Sequence, residues 1–140
     1  MTFSVTVPVL VGDRRVLVVD DDRDLCDLVA DFLSEEGYKV SRAYLGQSAI
    51  DSARHSAPDV VLLDLLLPDV SGLAVGHALR GGARTRDVPI VIISGDRAAL
   101  ARSKTEIAAD SYIEKPFSLA AVEQAVRAAL GLHNGAPDAA

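Results

Sequence analysis

Apolar and polar positions along the chain fall into five repeats of one unit, a short apolar run followed by apolar residues three or four apart. The runs are Arg15 to Asp20 (Arg-Val-Leu-Val-Val-Asp), Tyr38 to Ala43, Asp59 to Asp69 with Asp64 in its middle, Val88 to Ser94 and Tyr112 to Lys115. The second alternates roughly, and Pro116 ends the last. Nearly continuous runs of this kind read as strands buried on both faces, the pattern of a parallel sheet. Between them the period becomes helical. Leu25, Leu28, Val29, Phe32 and Leu33 form one stripe, with Gly37 as its stop. Gln47 to His55, Leu73 to Leu79, Ala98 to about Ala108, and the stripe Leu119, Val122, Val126 and Leu130 supply the other helices.

Alternating strands and helices predict an α/β fold, doubly wound, with a five-stranded parallel sheet and right-handed crossovers that cover both faces. In open sheets of this kind ligands bind outside the carboxyl ends of the strands. The residues at those ends are Asp20 and Asp21, Asp64, Ser94 and Lys115. Asp64 stands out even alone. It sits within Val60-Val61-Leu62-Leu63-Asp64-Leu65-Leu66-Leu67, and a lone charge in such a run is costly to bury. It therefore marks the exit of a strand or has a cationic partner.

Composition narrows the picture. A chain of 140 residues makes one domain with room for a real core. The expected division is an N-terminal extension over residues 1–13, a folded domain over 14–131 and a disordered tail over 132–140. The extension carries Phe3, Val5, Val7, Val9, Leu10 and Val11, but no Lys or Arg precedes them, so it is not read as a signal peptide. No output domain is expected in the residues after Leu130. The net charge of −6 argues against direct nucleic-acid binding through a basic surface. No apolar run approaches the ~20 residues of a membrane span. Cys26 is the only cysteine, so a disulfide framework is excluded and a reducing, cytoplasmic setting is expected. Cys26 itself reads as a small buried thiol. His55, His77 and His133 lie away from the acidic edge and read as surface residues.

The chemistry of that edge follows from its charges. Three carboxylates crowd together only with a cation, because like charges raise each other's pKa. An oxygen-rich site without Cys or His suits a hard ion, Mg²⁺ above all, with Mn²⁺ able to substitute. A metal, the Lys115 ammonium and the Ser94 hydroxyl around one carboxylate match the needs of a phosphoryl group, with Asp64 as the nucleophile. Plainer readings stand beside this one. Asp20 to Asp22 suit a helix N-terminus, Asp64 a turn, Ser94 a strand end and Lys115 a solvated surface. A calcium loop fails, because Leu25 and Asp31 replace the required Gly and Glu.

Four motifs in this order resemble the response-regulator receiver domains of bacterial two-component systems, of the single-domain, CheY-like type. They are Val-Val-Asp20-Asp21, Leu-Leu-Asp64-Leu-Leu-Leu-Pro68-Asp-Val-Ser-Gly72-Leu, Val-Ile-Ile-Ser94-Gly95 and Tyr112-Ile-Glu-Lys115-Pro116-Phe117. The resemblance implies a flavodoxin-like (βα)5 fold with strand order 2-1-3-4-5. It implies that Asp64 takes a phosphoryl group from a sensor histidine kinase or histidine phosphotransfer protein. Asp20, Asp21, Asp64 and the Leu66 backbone carbonyl would hold Mg²⁺, and Lys115 and Ser94 would contact the phosphoryl oxygens. Ser94 and Tyr112 would be the switch. Output would pass through the face of the fourth helix, fifth strand and fifth helix to a downstream effector, with a phosphorylation-dependent homodimer also open. Such a domain is not a turnover enzyme, although it promotes its own phosphorylation and dephosphorylation. The resemblance also raises the expectation of a cis Lys115–Pro116 bond.

Some positions depart from the family pattern. Ser94 stands where Thr is common but keeps the hydroxyl. Gly95 replaces a frequent Ala and is expected to loosen the loop after it. Ala108 stands where Gly is usual. Leu66 and Asp96 flank the expected path of an attacking water, and Asp24 and Asp27 are available to meet a kinase helix. Two other functions remain open at this point. One is a phosphatase of the haloacid-dehalogenase type, with Asp20 and Asp22 as its Asp-x-Asp pair, although Asp24 stands where Thr or Val usually follows. The other is an interaction module that is never phosphorylated, against which the intact set of site residues argues.

Overall fold

The computed structural model describes residues 13–132. Five strands and five helices alternate: β1 (Arg15–Val19), α1 (Arg23–Glu35), β2 (Lys39–Ala43), α2 (Gly46–His55), β3 (Val60–Asp64), α3 (Gly72–Arg80), β4 (Ile90–Ser94), α4 (Arg97–Glu106), β5 (Ser111–Glu114) and α5 (Leu119–Ala129). The strands are all parallel, in the order β2-β1-β3-β4-β5. This is the doubly wound, flavodoxin-like arrangement. The expectations for residues 1–12 and for 133–140, His133 included, lie outside the described residues.

The period of two along each central strand decides what each face buries. Leu17, Val19, Val61, Leu63, Ile90 and Ile92 pack with Ala49, Ala53, Val75, Leu79 and Leu100 from α2, α3 and α4, and with Ile107 just after α4. Val16, Val18, Val60, Leu62, Val91 and Ile93 pack with Cys26, Val29, Ala30, Leu33, Val122 and Val126 from α1 and α5. Both faces being covered explains why β3 and β4 have no exposed position at all.

Local chemistry sets the helix ends. Asp22, Ser71, Asp96 and Ser118 cap α1, α3, α4 and α5, each accepting from amides of the first turn. Gly37, just past the end of α1, takes φ 106°, the left-handed conformation that glycine adopts without a Cβ penalty. β4 starts at Ile90 rather than Val88, after Pro89, which has no N–H for the ladder.

Cys26 is fully buried, and its Sγ lies 3.7 Å from the Val18 carbonyl. Burial, followed by the nearby Asp20 and Asp27 charges, pushes the thiol up to about 11. The thiolate is the reactive form, so at pH 8 the native thiol is expected to resist iodoacetamide and to be alkylated fully in urea. Intact-mass spectrometry of the two samples checks this.

Candidate functional site

The site lies at the carboxyl edge of β1, β3, β4 and β5. Strand register brings its residues there. Val19 pairs with Leu63, so Asp20 and Asp64 leave adjacent strands at the same level. Asp64 pairs with Ile93, Ser94 pairs with Glu114, and Lys115 follows directly. The Lys115–Pro116 bond is cis.

Lys115 reaches across two strands. Its Nζ lies 2.8 Å from Asp64 Oδ2 and 3.0 Å from Asp20 Oδ2. The remaining oxygens are held by the backbone. Asp22 N donates to Asp20 Oδ1 at 2.9 Å, and Leu66 N donates to Asp64 Oδ1 at 3.0 Å. Asp20 and Asp64 are buried, whereas Asp21 is exposed beside them. One carboxylate oxygen from each of the three lies within 4.8 Å of the others, and no other such group of metal-ligating side chains occurs among the described residues.

The electrostatics of this cluster are unbalanced. Burial is the main cause that raises the Asp20 carboxyl above its ordinary range, and the Asp64 charge adds to it. The Asp22 amide and Lys115 oppose the rise without cancelling it. Burial pulls Lys115 down, but its bonds to Asp64 and Asp20 leave it above the usual lysine range. Three carboxylates against one ammonium leave two negative charges uncompensated. A hard dication fits this donor set by charge, by spacing and by its oxygen ligands. Asp20, Asp21 and Asp64 are the side chains that could hold it.

Leu66, Ser94 and Tyr112 have defined places around this core. The Leu66 side chain is 54% exposed next to Asp64. Ser94 is fully buried, and its hydroxyl accepts from Asp96 N at 3.1 Å. Tyr112 is half-buried against the core under α4, and its hydroxyl donates to the Ile107 carbonyl at 3.4 Å. Gly95 follows Ser94 directly. A Cβ there would meet only Lys115 Cβ at an ordinary 3.7 Å, and the next residue is fixed by the Ser94 bond. Asp96 caps α4, with Oδ1 accepting from Ala98 N and Ala99 N. Asp27 is also already engaged. Tyr44 donates to it at 2.7 Å and Arg42 at 2.9 Å, and these two bonds hold its carboxyl below the usual range.

The response regulator receiver domain model matches residues 16–127, which include every residue of this edge. The chain belongs to the response regulator receiver domain family. As a receiver domain it is 40% identical over 116 residues to the probable transcriptional regulatory protein TcrX of Mycobacterium tuberculosis, covering 82% of this chain and 49% of that protein. The chain thus spans about half the length of that curated relative. Among solved structures it resembles the receiver domain of NtrX from Brucella abortus, with 32% identity, a TM-score of 0.75, and 84% and 99% of the two chains covered. A receiver domain of a Pseudomonas aeruginosa sensor histidine kinase shares the fold at 24% identity, with a TM-score of 0.77 and coverage of 86% and 99%. That structure has a magnesium ion coordinated in its active-site cleft. Receiver domains are signalling domains that work with histidine kinases and downstream effectors, and no helix among the described residues is long and apolar enough to cross a membrane.

Proposed function

We propose that this receiver domain is a cytoplasmic phosphorylation switch in which Asp64 is the acceptor and a sensor histidine kinase or histidine phosphotransfer protein is the donor. The observation that carries this reading is Lys115 bridging Asp64 and Asp20, with Asp21 alongside, at one sheet edge. An Asp64 carboxylate oxygen attacks the phosphorus of a phosphohistidine. The P–O bond forms as the P–N bond breaks, and the imidazole leaves and takes a proton from solvent. Lys115 neutralises phosphoryl oxygens as charge develops on them. Asp20, Asp21, Asp64 and the Leu66 carbonyl are the proposed ligands of Mg²⁺, or of Mn²⁺ in its place. When bound, that ion supplies charge neutralisation between acceptor and phosphoryl group.

The acyl phosphate carries about −1.5 to −2 charge at pH 7, in place of the single negative charge of the Asp64 carboxylate. Ser94 then turns its hydroxyl toward a phosphoryl oxygen and gives up its bond to Asp96 N. Because Asp96 caps α4, that exchange biases the α4-β5-α5 face, with Tyr112 packed beneath it. The altered face binds a downstream effector or a second phosphorylated copy, and the domain itself makes no direct contact with nucleic acid.

The test is phosphorylation by acetyl phosphate with Mg²⁺ or with a chelator, followed by borohydride trapping and peptide mapping. Metal-dependent label on Asp64 is expected. Label on Asp20 instead would move the chemistry to the other buried acid.

The lifetime of the acyl phosphate should depend on Leu66. Its exposed side chain offers no polar group to order a water beside the acceptor. Leu66→Asn adds about 1 kcal/mol of hydrogen bonding to an attacking water, equal to about fivefold in rate. Dephosphorylation followed by release of inorganic phosphate should quicken by that order. An unchanged decay rate would remove Leu66 from the account.

A further inference from the structure

Every other helix of the domain is capped by the residue that precedes it, but the N-cap of α2, Leu45, has no side-chain cap bond. Asp69, in the loop between β3 and α3, supplies the missing cap from 23 residues away. Its Oδ1 accepts from Gly46 N at 2.8 Å and its Oδ2 from Gln47 N at 2.9 Å. These two amides, Gln47 first, hold the Asp69 carboxyl below its usual range. The contact is built on both sides. A Cβ at Gly46 would collide with the Val70 side chain, so glycine is what lets the loop lie against the helix start.

The same loop, residues 65–71, begins at the acceptor and carries Leu66. Its far end is pinned to its start, because Gly72 N donates to the Leu65 carbonyl at 2.8 Å. A Cβ on Gly72 would overlap the backbone of Asp64 and Leu65. The near end is tied through Leu66 N to Asp64 Oδ1. The middle is left to Asp69 and Val70, and Asp69 is the residue that bonds it to another element.

The geometry points to Asp69 as a positioning residue for the metal and phosphoryl site, holding the Leu66 backbone in register by clamping the loop to the start of α2. This rests on the reading that Asp20, Asp21, Asp64 and the Leu66 carbonyl bind a divalent cation. Partners that orient a ligand from behind are commonly worth about tenfold or more in metal affinity. An exposed, bidentate cap on a loop belongs at the lower end of that range.

Mg²⁺ binding is measured by calorimetry on the whole chain, without phosphodonor, for the wild type and four variants, with thermal unfolding of each in chelator. Asp69→Asn keeps one good acceptor and Asp69→Ala keeps none, so affinity should fall in that order, with Asp69→Ala about tenfold weaker than wild type. Ser118→Ala removes the cap of α5 and lowers the melting temperature by the same mechanism, but its Mg²⁺ affinity should equal that of wild type. Asp21→Asn should abolish binding. Wild-type affinity in both Asp69 variants, with binding lost in Asp21→Asn, overturns the role of Asp69 and leaves the metal site standing. An equal loss in Ser118→Ala also overturns it, because the effect would then follow stability alone. If wild type and Asp21→Asn bind alike, the metal site itself fails and takes the Asp69 role with it.

Discussion

Asp64→Asn is expected to abolish phosphoryl acceptance from acetyl phosphate and from any phosphohistidine donor, while leaving the domain folded. A neutral amide oxygen lacks the negative charge that makes the carboxylate a nucleophile, and it offers a metal less. The fold has no reason to suffer. The substituted amide oxygen can still accept from Leu66 N, as Asp64 Oδ1 does at 3.0 Å. Lys115 keeps Asp20 as its ion-pair partner at 3.0 Å. Removing the Asp64 charge also removes one of the causes that raise the Asp20 carboxyl. The metal-free variant should therefore melt at or above the wild-type temperature. Radiolabel incorporation measured beside a thermal melt separates the two effects. Undiminished transfer in a folded variant would show that Asp64 is not the acceptor.

Lys115→Met should have the second largest effect, and it acts on stability and chemistry together. Lys115 is the one ammonium serving two buried acids, whose side chains are only 9% and 5% exposed. Breaking a buried pair costs about 3–5 kcal/mol in the general case, because a charge is left behind. Lys115 is itself 23% exposed, and water can enter where it was, so a loss of about 1–3 kcal/mol is the scale expected here.

The sign with pH follows from the direction of the shift. The Asp20 carboxyl is already raised above 3.8 in the folded protein, and losing Lys115 raises it further. A carboxyl raised by folding opposes stability when ionised, above its folded pKa. That penalty is relieved as pH falls through the folded pKa toward 3.8. The stability gap between Lys115→Met and wild type should thus be widest near pH 7 and narrow toward pH 4. Added Mg²⁺ should also stabilise the variant more than the wild type at pH 7, because the ion no longer competes with the ammonium. Urea melts at the two pH values, with and without the ion, test this. A gap that grows on acidification would contradict the electrostatic account. Phosphorylation should slow in the variant at every pH where it is folded, since Lys115 is the fixed protein cation nearest the acceptor.

Much of this site is visible in the sequence because parallel sheets obey a simple geometry. Runs of apolar residues identify β1, β3 and β4. Each of the runs around β1, β3 and β4 ends in a polar residue with no place in a core. One edge rule then gathers Asp20, Asp21, Asp64, Ser94 and Lys115 without any coordinates. What the pattern missed are bonds between side chains and distant backbone. Asp27 and Asp96 both look like free acids near the site, yet one is held by Arg42 and Tyr44 and the other is spent on the start of α4. Asp69 was legible only as part of a turn. The one available hint was negative, namely that Leu45 cannot cap the helix it precedes.

The fold class, the five units, the sheet edge that carries the chemistry and the residue types that meet there all follow from local sequence patterns. Those features depend on periods of two and of about three and a half, and on which residue ends each run, all of which are local. Which helices cover which face, which acids are hydrogen-bonded within the domain, and the bridge from Lys115 to Asp20 and Asp64 emerge only in three dimensions. These depend on strand register and on the approach of segments far apart in the chain, and a shift of one residue would turn each side chain to the opposite face. Asp64 is marked by its neighbours in sequence, but its partner is set by the register of two other strands.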